Sequence, residues 1–299
     1  VITQVLYPAD NHREGKSLRL SQQYFLVSAS VQDIVQRHLE KYGTMDNLPE
    51  MAAVHINDTH PALCVPELMR ILIDDYCFSW DEAWDITTRT MSYTNHTVMP
   101  EALETWNESL FCFRLPRIHS IIKEINERFC REAWNVFPGN WQRISKMCVV
   151  GYGQIRMANL AVIGSHSVNG VSKLHSTILK DSVFKDFYRM YPGRFDNVTN
   201  GIAHRRWLCY SNPALASLLD ETIGTGYRKN PVELAEFAKF ADDPEVLERF
   251  RAIKHANKEN FSNHLYRKAG IHLDTHAVYD VQIKRLHEYK RQLLNALNI

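Results

Sequence analysis

The 299-residue sequence has 45% hydrophobic and 23% charged residues, as in an ordinary globular protein, and its length suggests about two domains. Its formal net charge is +1, and its basic residues are interspersed with acidic ones except near residues 284–291, which argues against nucleic-acid binding. No apolar run reaches about 18 residues, no secretory signal opens the chain, and the six cysteines lack CxxC or zinc spacing. We therefore expect a reduced, cytoplasmic protein with no membrane segment and no metal site.

The first 200 residues alternate predicted helices with short predicted strands. Apolar spacing predicts an amphipathic helix from Ser17 to about Tyr42, with Gly43 as its end. Apolar runs at residues 52–56 and 91–94 predict two buried strands. Further helices are predicted from capping signals or apolar spacing at 67–73, at 79–86, from Pro100 onward, at 118–129 and at 173–180. This alternation predicts an α/β fold with a parallel sheet.

Two loops that leave the predicted strands are rich in short polar side chains and histidine. Asp58 and His60 follow the first strand, and Asn95, His96 and Thr97 follow the second. Ligands of α/β sheets bind at the carboxyl ends of strands, and short donors and acceptors suit the hydroxyl groups of a sugar. A metal site is disfavoured because no compact ligand motif is present. A histidine taken alone is more often a structural hydrogen-bonding residue than a catalyst.

A domain boundary is predicted near residues 196–201. Beyond it, three helices are predicted to begin at pairs of an N-cap residue and proline: Asn212-Pro213, Asn230-Pro231 and Asp243-Pro244. The last of them is expected to run to about Ala269, with Gly270 as its end. The β-branched run 278–283 predicts a buried strand, and the spacing of leucines from Leu286 predicts a helix directly after it.

Cationic side chains crowd the predicted turn between this strand and this helix. They are Lys284, Arg285, Lys290 and Arg291, with His287 among them. A helix N-terminus and several cations suit a phosphate dianion. Spacing alone favours the plainer alternative, a solvated basic face. Because cations are unfavourable in a first helical turn, however, a bound anion would offset a real cost, which shifts the balance towards an anion site.

The segment 280–291, Asp-Val-Gln-Ile-Lys-Arg-Leu-His-Glu-Tyr-Lys-Arg, resembles the signature of the α-glucan phosphorylases, the family of glycogen, starch and maltodextrin phosphorylases. Five further segments resemble the same family and occur in its order: 5–11, 57–61, 93–104, 164–171, and 199–202 with 205–207. Six matching segments in order across nearly the whole chain are far more specific than any one of them.

The resemblance implies two Rossmann-like domains of the GT-B glycosyltransferase type, both incomplete in this chain. Residues 1–198 would be the C-terminal half of the N-terminal glucan-binding, catalytic domain. Residues 199–299 would begin the C-terminal domain, which binds pyridoxal 5'-phosphate. The family's Gly-Thr-Gly-Asn-Met-Lys segment, whose lysine forms the cofactor Schiff base, does not occur in the 299 residues. We therefore expect the chain to be a fragment that is inactive by itself.

The activity implied by the resemblance is reversible phosphorolysis of terminal α-1,4-glucosyl units. The implied partners are inorganic phosphate, α-D-glucose 1-phosphate and an α-1,4-glucan, in a cytoplasmic homodimer. The leaving oxygen needs a proton, which the substrate phosphate supplies in this family, and the sugar becomes oxocarbenium-like. A cation cluster rather than a pair of carboxylic acids therefore dominates the motif.

The resemblance also assigns substrate contacts. His96 would contact the glucosyl 6-hydroxyl, with its backbone carbonyl favouring positive charge at the reacting carbon, and Asn200 would hold the same hydroxyl. The other implied sugar-site residues are Asp10 and Asn11 in a gating loop, Asp58 and His60 in the donor-side pocket, Asn95 and Thr97 beside His96, and Tyr289.

Phosphate and cofactor contacts are implied for the second half of the chain. Arg285 and Lys290 would bind the substrate phosphate, Lys284 the phosphate of the cofactor, and Trp207 would line the cofactor pocket. One departure from the family pattern adjoins this tryptophan. Ala203-His204 stands where the family usually has Thr-Pro, which puts the local turn in doubt.

Two alternatives stay open at this point. A nucleotide-sugar-dependent glucan synthase of the same two-domain type also needs a basic diphosphate site, but it would require a nucleotide-sugar donor. A non-catalytic carbohydrate-binding fragment would bind saccharides without turnover.

Overall fold

A computed structural model of the chain describes residues 2–9, 11–287 and 290–299. The chain divides into two compact units, residues 1–200 and 201–299. In the described part of the chain, no helix is both long and apolar enough to cross a membrane.

The first unit is built on a parallel sheet. Its strands are β1 (Val54–Asn57), β2 (Met91–Thr94), β3 (Thr105–Asn107), β4 (Val150–Gly151), β5 (Gln154–Arg156), β6 (Ser167–Gly170) and β7 (Phe195–Asn197). The strands β1, β2, β6 and β7 pair in that order and are all parallel, whereas β3, β5 and β4 form a small antiparallel sheet. Because the four strands are parallel, all their carboxyl ends reach the same edge. The predicted α/β class with a parallel sheet is confirmed.

The register of the parallel sheet places one row of buried side chains across all four strands. Ile56 pairs with Tyr93, Tyr93 with Val168, and Val168 with Phe195, and all four side chains are buried. The first unit also contains ten α-helices among its described residues. They are α1 (Arg13–Tyr42), α2 (Leu48–Met51), α3 (Cys64–Arg70), α4 (Trp80–Thr90), α5 (Glu108–Arg114), α6 (Pro116–Val136), α7 (Trp141–Met147), α8 (Met157–Ile163), α9 (Lys173–Ile178) and α10 (Lys185–Met190). Single π-helical stretches, Ile71–Asp75 and Leu179–Val183, extend α3 and α9.

The first long helix forms as predicted and ends where predicted. Leu20, Val27 and Val31 recur on one buried face of α1, and the helix stops at Gly43, whose φ of 72° is the left-handed conformation that glycine adopts without strain. The helix begins earlier than predicted, at Arg13, because the His12 imidazole accepts a hydrogen bond from the Gly15 backbone and so caps it.

Local signals also succeed for α4 and α6. The Ser79 side chain and the Glu82 side chain form the predicted reciprocal capping box of α4. The isoleucines of α6 lie on one buried face, as their spacing predicts. The helix predicted from Pro100 is wrong beyond one turn: a 3-10 turn, Pro100–Ala102, is followed two residues later by β3.

The described part of the second unit is helical. Its α-helices are α11 (Pro213–Ile223), α12 (Pro244–Ala269) and α13 (Gln292–Asn298), with a π-helical stretch at Arg205–Tyr210 and a 3-10 stretch at Pro231–Phe240. The three predicted N-caps are confirmed, since Asn212, Asn230 and Asp243 each accept a hydrogen bond from the backbone of the following turn. Gly270, with φ of 70°, ends α12 as predicted.

The predicted strand at 278–283 is wrong. Val278 is 96% exposed and Ile283 is 88% exposed, and these residues lie in neither a helix nor a strand. A β-branched run becomes a strand only when a neighbour accepts its backbone hydrogen bonds, and no strand occurs among the described residues of 201–299. The following helix also begins later than predicted, since the described residues 284–287 are not helical and α13 starts at Gln292.

Candidate functional site

The loop that leaves β2 is fixed by a completely buried asparagine. Asn95 donates from Nδ2 to the Tyr93 hydroxyl at 2.9 Å, and its Oδ1 accepts the Thr97 backbone N–H at 2.9 Å. The Asn95 backbone N–H donates to the Asn169 carbonyl of β6 at 3.0 Å. Burial raises the pKa of the Tyr93 hydroxyl, which therefore stays protonated and able to donate. Residues 95–97 are consequently held by both β2 and β6.

His96 lies at the exposed tip of this loop, yet its ring is oriented. Its Nε2 lies 2.6 Å from Oδ1 of Asn57, the last residue of β1. Since an amide oxygen only accepts, Nε2 carries the hydrogen, which leaves Nδ1 of the neutral ring able to accept a hydrogen bond. The arrangement offers a fixed acceptor at the carboxyl edge of the sheet, a suitable partner for a ligand hydroxyl.

A second histidine connects the loops that follow β2 and β6. The His175 Nδ1 accepts the Val171 backbone N–H at 3.1 Å, and its Nε2 lies 3.5 Å from the Thr97 carbonyl oxygen. Burial is the main cause that lowers the pKa of His175; the contact with the Thr97 backbone raises it, and the nearby His96 lowers it further. His175 is not among the predicted site residues, but it contacts the loops at the carboxyl edge of the sheet.

The loop that leaves β1 contributes the Asp58 carboxylate to the carboxyl edge of the sheet. Asp58 has φ of 65° and donates its backbone N–H to the Thr94 carbonyl of β2 at 3.0 Å. Its Oδ1 accepts from the backbone of Thr59, a buried residue whose hydroxyl lies 3.3 Å from the Glu104 carboxylate. Gln23 donates to the same carboxylate at 3.0 Å. Thr59 therefore contacts two carboxylates, its backbone that of Asp58 and its hydroxyl that of Glu104.

The remaining predicted sugar-site residues of the first unit that the structure describes are exposed. His60 is exposed on the loop after β1. Asn11 is exposed beside the start of α1 and lines a surface cavity with Arg13, Lys16 and Asn107. Asn200 is exposed and donates its backbone N–H to the Val171 carbonyl at 3.1 Å. The predicted residues Asp10 and Tyr289 lie outside the described residues.

The predicted phosphate and cofactor residues all belong to the second unit. The Trp207 indole is 71% exposed, and Lys284 and Arg285 lie on the exposed segment before α13. The Gln292 side chain holds that segment, since its Nε2 donates to the Arg285 carbonyl at 2.9 Å and its Oε1 accepts the His287 backbone N–H at 3.1 Å. The predicted strand-to-helix turn is therefore not formed, because the described residues 278–287 before α13 contain no strand.

Comparison with known proteins identifies the family. A sequence model described as "Carbohydrate phosphorylase" matches residues 1–299, the whole chain. This chain belongs to the carbohydrate phosphorylase family. It is 50% identical over 298 residues to a glycogen phosphorylase of Bacillus subtilis, 47% over 309 residues to the muscle form of glycogen phosphorylase of Mus musculus, and 46% over 301 residues to a glycogen phosphorylase of Chlamydia trachomatis. The chain spans 37% of the length of these relatives. The resemblance inferred from the six segments is confirmed.

In this carbohydrate phosphorylase family member, the backbone at Ala203-His204 is compatible with proline at position 204. His204 has φ of −63°, the value that a proline would fix, and the Trp207 backbone N–H still donates to the Ala203 carbonyl at 2.9 Å. The His204 Nε2 lies 2.9 Å from the Tyr227 carbonyl oxygen and 3.2 Å from that of Arg228. The imidazole therefore adds a link that proline could not make.

Some edge residues of this phosphorylase chain were missed by sequence reasoning. They are Asn57, Glu104, Asn169 and His175. Asn57 and Asn169 are the last and the second-last residues of their strands, and Glu104 ends a segment that already resembled the family, so their positions could have suggested them. For His175 the sequence carries no such signal, because its contacts are made across the fold.

Proposed function

We propose that the full-length protein is an α-1,4-glucan phosphorylase. It would catalyse reversible phosphorolysis, in which a terminal α-1,4-glucosyl unit and inorganic phosphate give α-D-glucose 1-phosphate and a shortened glucan. The observation that carries the proposal is the oriented His96 at the carboxyl edge of the sheet, in a chain matched along its whole length by the carbohydrate phosphorylase family.

The chemistry of the edge supports a sugar ligand. The cluster of Asn57, Asn95, His96, Thr97 and His175 contains neither lysine nor arginine, so it suits hydroxyl groups better than a phosphate dianion. In the proposal, the glucosyl 6-hydroxyl donates to Nδ1 of His96. Fixed backbone and amide groups around the loop would favour positive charge developing on the sugar, because dipoles that are already oriented cost no reorganisation during the reaction.

The phosphate requires cations, and the proposal assigns them to the second half of the chain. Arg285 and Lys290 would bind the substrate phosphate, which would also pass a proton to the departing 4-oxygen. The support is chemical: these cations belong to the segment 280–291, which resembles the family signature. A guanidinium suits phosphate because it offers several donors in one plane.

The other proposed substrate contacts follow the family pattern. Asn200 would share the 6-hydroxyl with His96. The further residues proposed to contact or enclose the sugar are Asp10, Asn11, Asp58, His60, Asn95, Thr97 and Tyr289.

The proposal extends to pyridoxal 5'-phosphate as cofactor, which lends a phosphate group to the reaction when it is bound. Lys284 and Trp207 would contact it. The Trp207 indole is 71% exposed and Lys284 lies on an exposed segment, so the described residues of 201–299 do not enclose such a group. Residues beyond this chain, among them the Schiff-base lysine, would have to complete the pocket.

We also propose the GT-B arrangement for the full-length protein. Residues 1–198 would belong to the N-terminal, glucan-binding domain and residues 199–299 to the start of the cofactor-binding domain, both of them Rossmann-like and incomplete in this chain. A cytoplasmic homodimer is the proposed state of the whole protein.

The test is formation of glucose 1-phosphate from maltoheptaose and inorganic phosphate by the full-length protein, with and without added pyridoxal 5'-phosphate. We expect His96→Ala to lower kcat/KM about 100-fold, the usual loss when an oriented polar group is removed from a reacting centre. His166→Ala is the matched control, because His166 is also an exposed histidine but precedes β6 at the opposite end of that strand.

Two further measurements sharpen the test. Arg285→Ala should raise the KM for phosphate much more than that for maltoheptaose. Turnover only with a nucleotide-sugar donor, or saccharide binding without product, would contradict the proposed phosphorolysis.

A further inference from the structure

His175 is the point where two loops of the candidate sugar site meet. It lies on α9, two residues after the helix begins, and its backbone N–H donates to the Ser172 hydroxyl that caps this helix. Its ring spans from the Val171 backbone after β6 to the Thr97 carbonyl after β2. The residue is 9% exposed, so little of its surface is in contact with solvent.

The hydrogen-bond partners define one tautomer. A backbone N–H can only donate, so the Val171 contact at 3.1 Å requires an unprotonated Nδ1. A carbonyl oxygen can only accept, so the contact with Thr97 at 3.5 Å requires the hydrogen on Nε2. The ring is therefore neutral and acts as acceptor on one side and as donor on the other.

The support beneath the ring leaves little freedom. A Cβ placed on Gly170 would lie 2.9 Å from the backbone nitrogen of Ser176 and 2.5 Å from its hydroxyl, so α9 packs directly against the end of β6. The Ser176 hydroxyl donates to Asn197 Oδ1 of β7 at 2.8 Å. The helix that carries His175 is thus attached to two strands of the sheet.

We propose that His175 is a positioning residue for the glucosyl site: its Nε2–H holds the Thr97 carbonyl and so fixes the loop that carries His96. This inference rests on the proposed phosphorolysis and adds a role for a residue outside the predicted set. His175 acts through residues 95–97 and has no role of its own in the bond-breaking step. Because small displacements at a reacting centre are costly, loss of this hold lowers turnover even though the fold is retained.

Two substitutions separate the functions of the two ring nitrogens. His175→Asn keeps an acceptor near the position of Nδ1 but is too short to reach Thr97. His175→Gln places an amide N–H near the position of Nε2 and keeps the donor to Thr97. We expect His175→Asn to lower kcat about 10- to 100-fold, with a smaller change in KM, and His175→Gln to recover most of that loss.

The decisive experiment is a double-mutant cycle in the full-length protein, with glucose 1-phosphate formation from maltoheptaose as the readout. Since His175 works through the His96 loop, His175→Asn should change kcat less than about threefold in a His96→Ala background, the non-additivity expected of coupled residues. The control His166→Asn should have no effect in either background. Melting temperatures of all variants identify any that fail to fold. If His175→Asn fails to fold, the activity of His175→Gln is compared with that of the unsubstituted protein instead.

The outcomes are distinguishable. If the unsubstituted protein forms no glucose 1-phosphate, the proposed function fails. If it is active but His175→Asn retains full kcat, or if the effects of His96→Ala and His175→Asn simply multiply, the positioning role is wrong while the proposed function stands. Equal losses for His175→Gln and His175→Asn would also overturn it, because the Thr97 contact would then not be the cause.

Discussion

Replacing Asn95 with alanine tests whether the loop of residues 95–97 is held by buried hydrogen bonds. The substitution removes the donor to the Tyr93 hydroxyl and the acceptor of the Thr97 N–H, both at 2.9 Å. Tyr93 is fully buried, so its hydroxyl loses its partner where water cannot replace it, at a cost of about 1–3 kcal/mol. Thr97 is only half-buried, so we expect the loss of the acceptor for its N–H to add less. We expect the loop to be destabilised by about 2 kcal/mol.

Hydrogen exchange of the loop measures this cost directly. The backbone N–H of residue 95 donates to the Asn169 carbonyl and survives the substitution, so it reports how often the loop opens. A loss of about 2 kcal/mol corresponds to roughly 30-fold faster exchange, since about 1.4 kcal/mol is a factor of ten. Peptide-level exchange of the full-length protein, followed by mass spectrometry, gives this ratio.

The control removes both members of the pair. Tyr93→Phe combined with Asn95→Ala leaves no orphaned hydroxyl, so exchange in the double variant should be slower than in Asn95→Ala alone. If the two variants exchange at the same rate, the unpaired Tyr93 hydroxyl is not the source of the loss. Unchanged exchange in Asn95→Ala would refute the reasoning altogether.

Three further predictions concern packing, thiol reactivity and capping. Gly170→Ala should lower both the melting temperature and the activity of the full-length protein, because its Cβ would lie 2.9 Å from the Ser176 backbone nitrogen; normal values of both would show that α9 can shift freely. Iodoacetamide at pH 8 should label exposed Cys77 and spare Cys64 until denaturant is added, since burial raises the Cys64 pKa to about 12 and the thiolate is the reactive form; early labelling of Cys64 by mass spectrometry would contradict this. Asp243→Ala should cost about 1 kcal/mol in the first turn of α12, measured as faster amide exchange there, whereas Asp243→Ser should restore it; equal exchange in the two variants would exclude capping as the cause.

Local signals predicted the elements whose formation depends on local contacts. The capping box at Ser79, the left-handed glycine at Gly43 and the N-cap at Asp243 all form as predicted, because each satisfies backbone groups within one turn of the helix. The parallel sheet was also predictable, since strands alternate with helices along the first 200 residues. Because β1 and β2 are parallel, the polar loops that follow them lie at the same edge of the sheet.

The failures occur where a partner distant in sequence decides the structure. The run 278–283 has strand propensity, but strand formation depends on a neighbouring strand, and the described part of 201–299 offers none. His175 could not be predicted for a similar reason, because the importance of the residue comes from Thr97, 78 positions earlier in the chain. The spacing of apolar residues within one element reveals neither a missing strand partner nor the contact between His175 and Thr97.

In the proposed function, the carboxyl edge of the sheet recognises a sugar by the direction of its hydrogen bonds rather than by net charge. His96 and His175 are each confined to one tautomer by a partner that can only accept or only donate, and Asn95 is satisfied at both ends of its amide. Such groups discriminate strongly, because a ligand that fails to pair with them leaves a polar atom without its hydrogen bond. Substitutions in residues 95–97 should therefore alter discrimination among sugars, whereas substitution of Arg285 should alter the dependence on phosphate. A variant of the loop that changed only the phosphate dependence would contradict this division of roles.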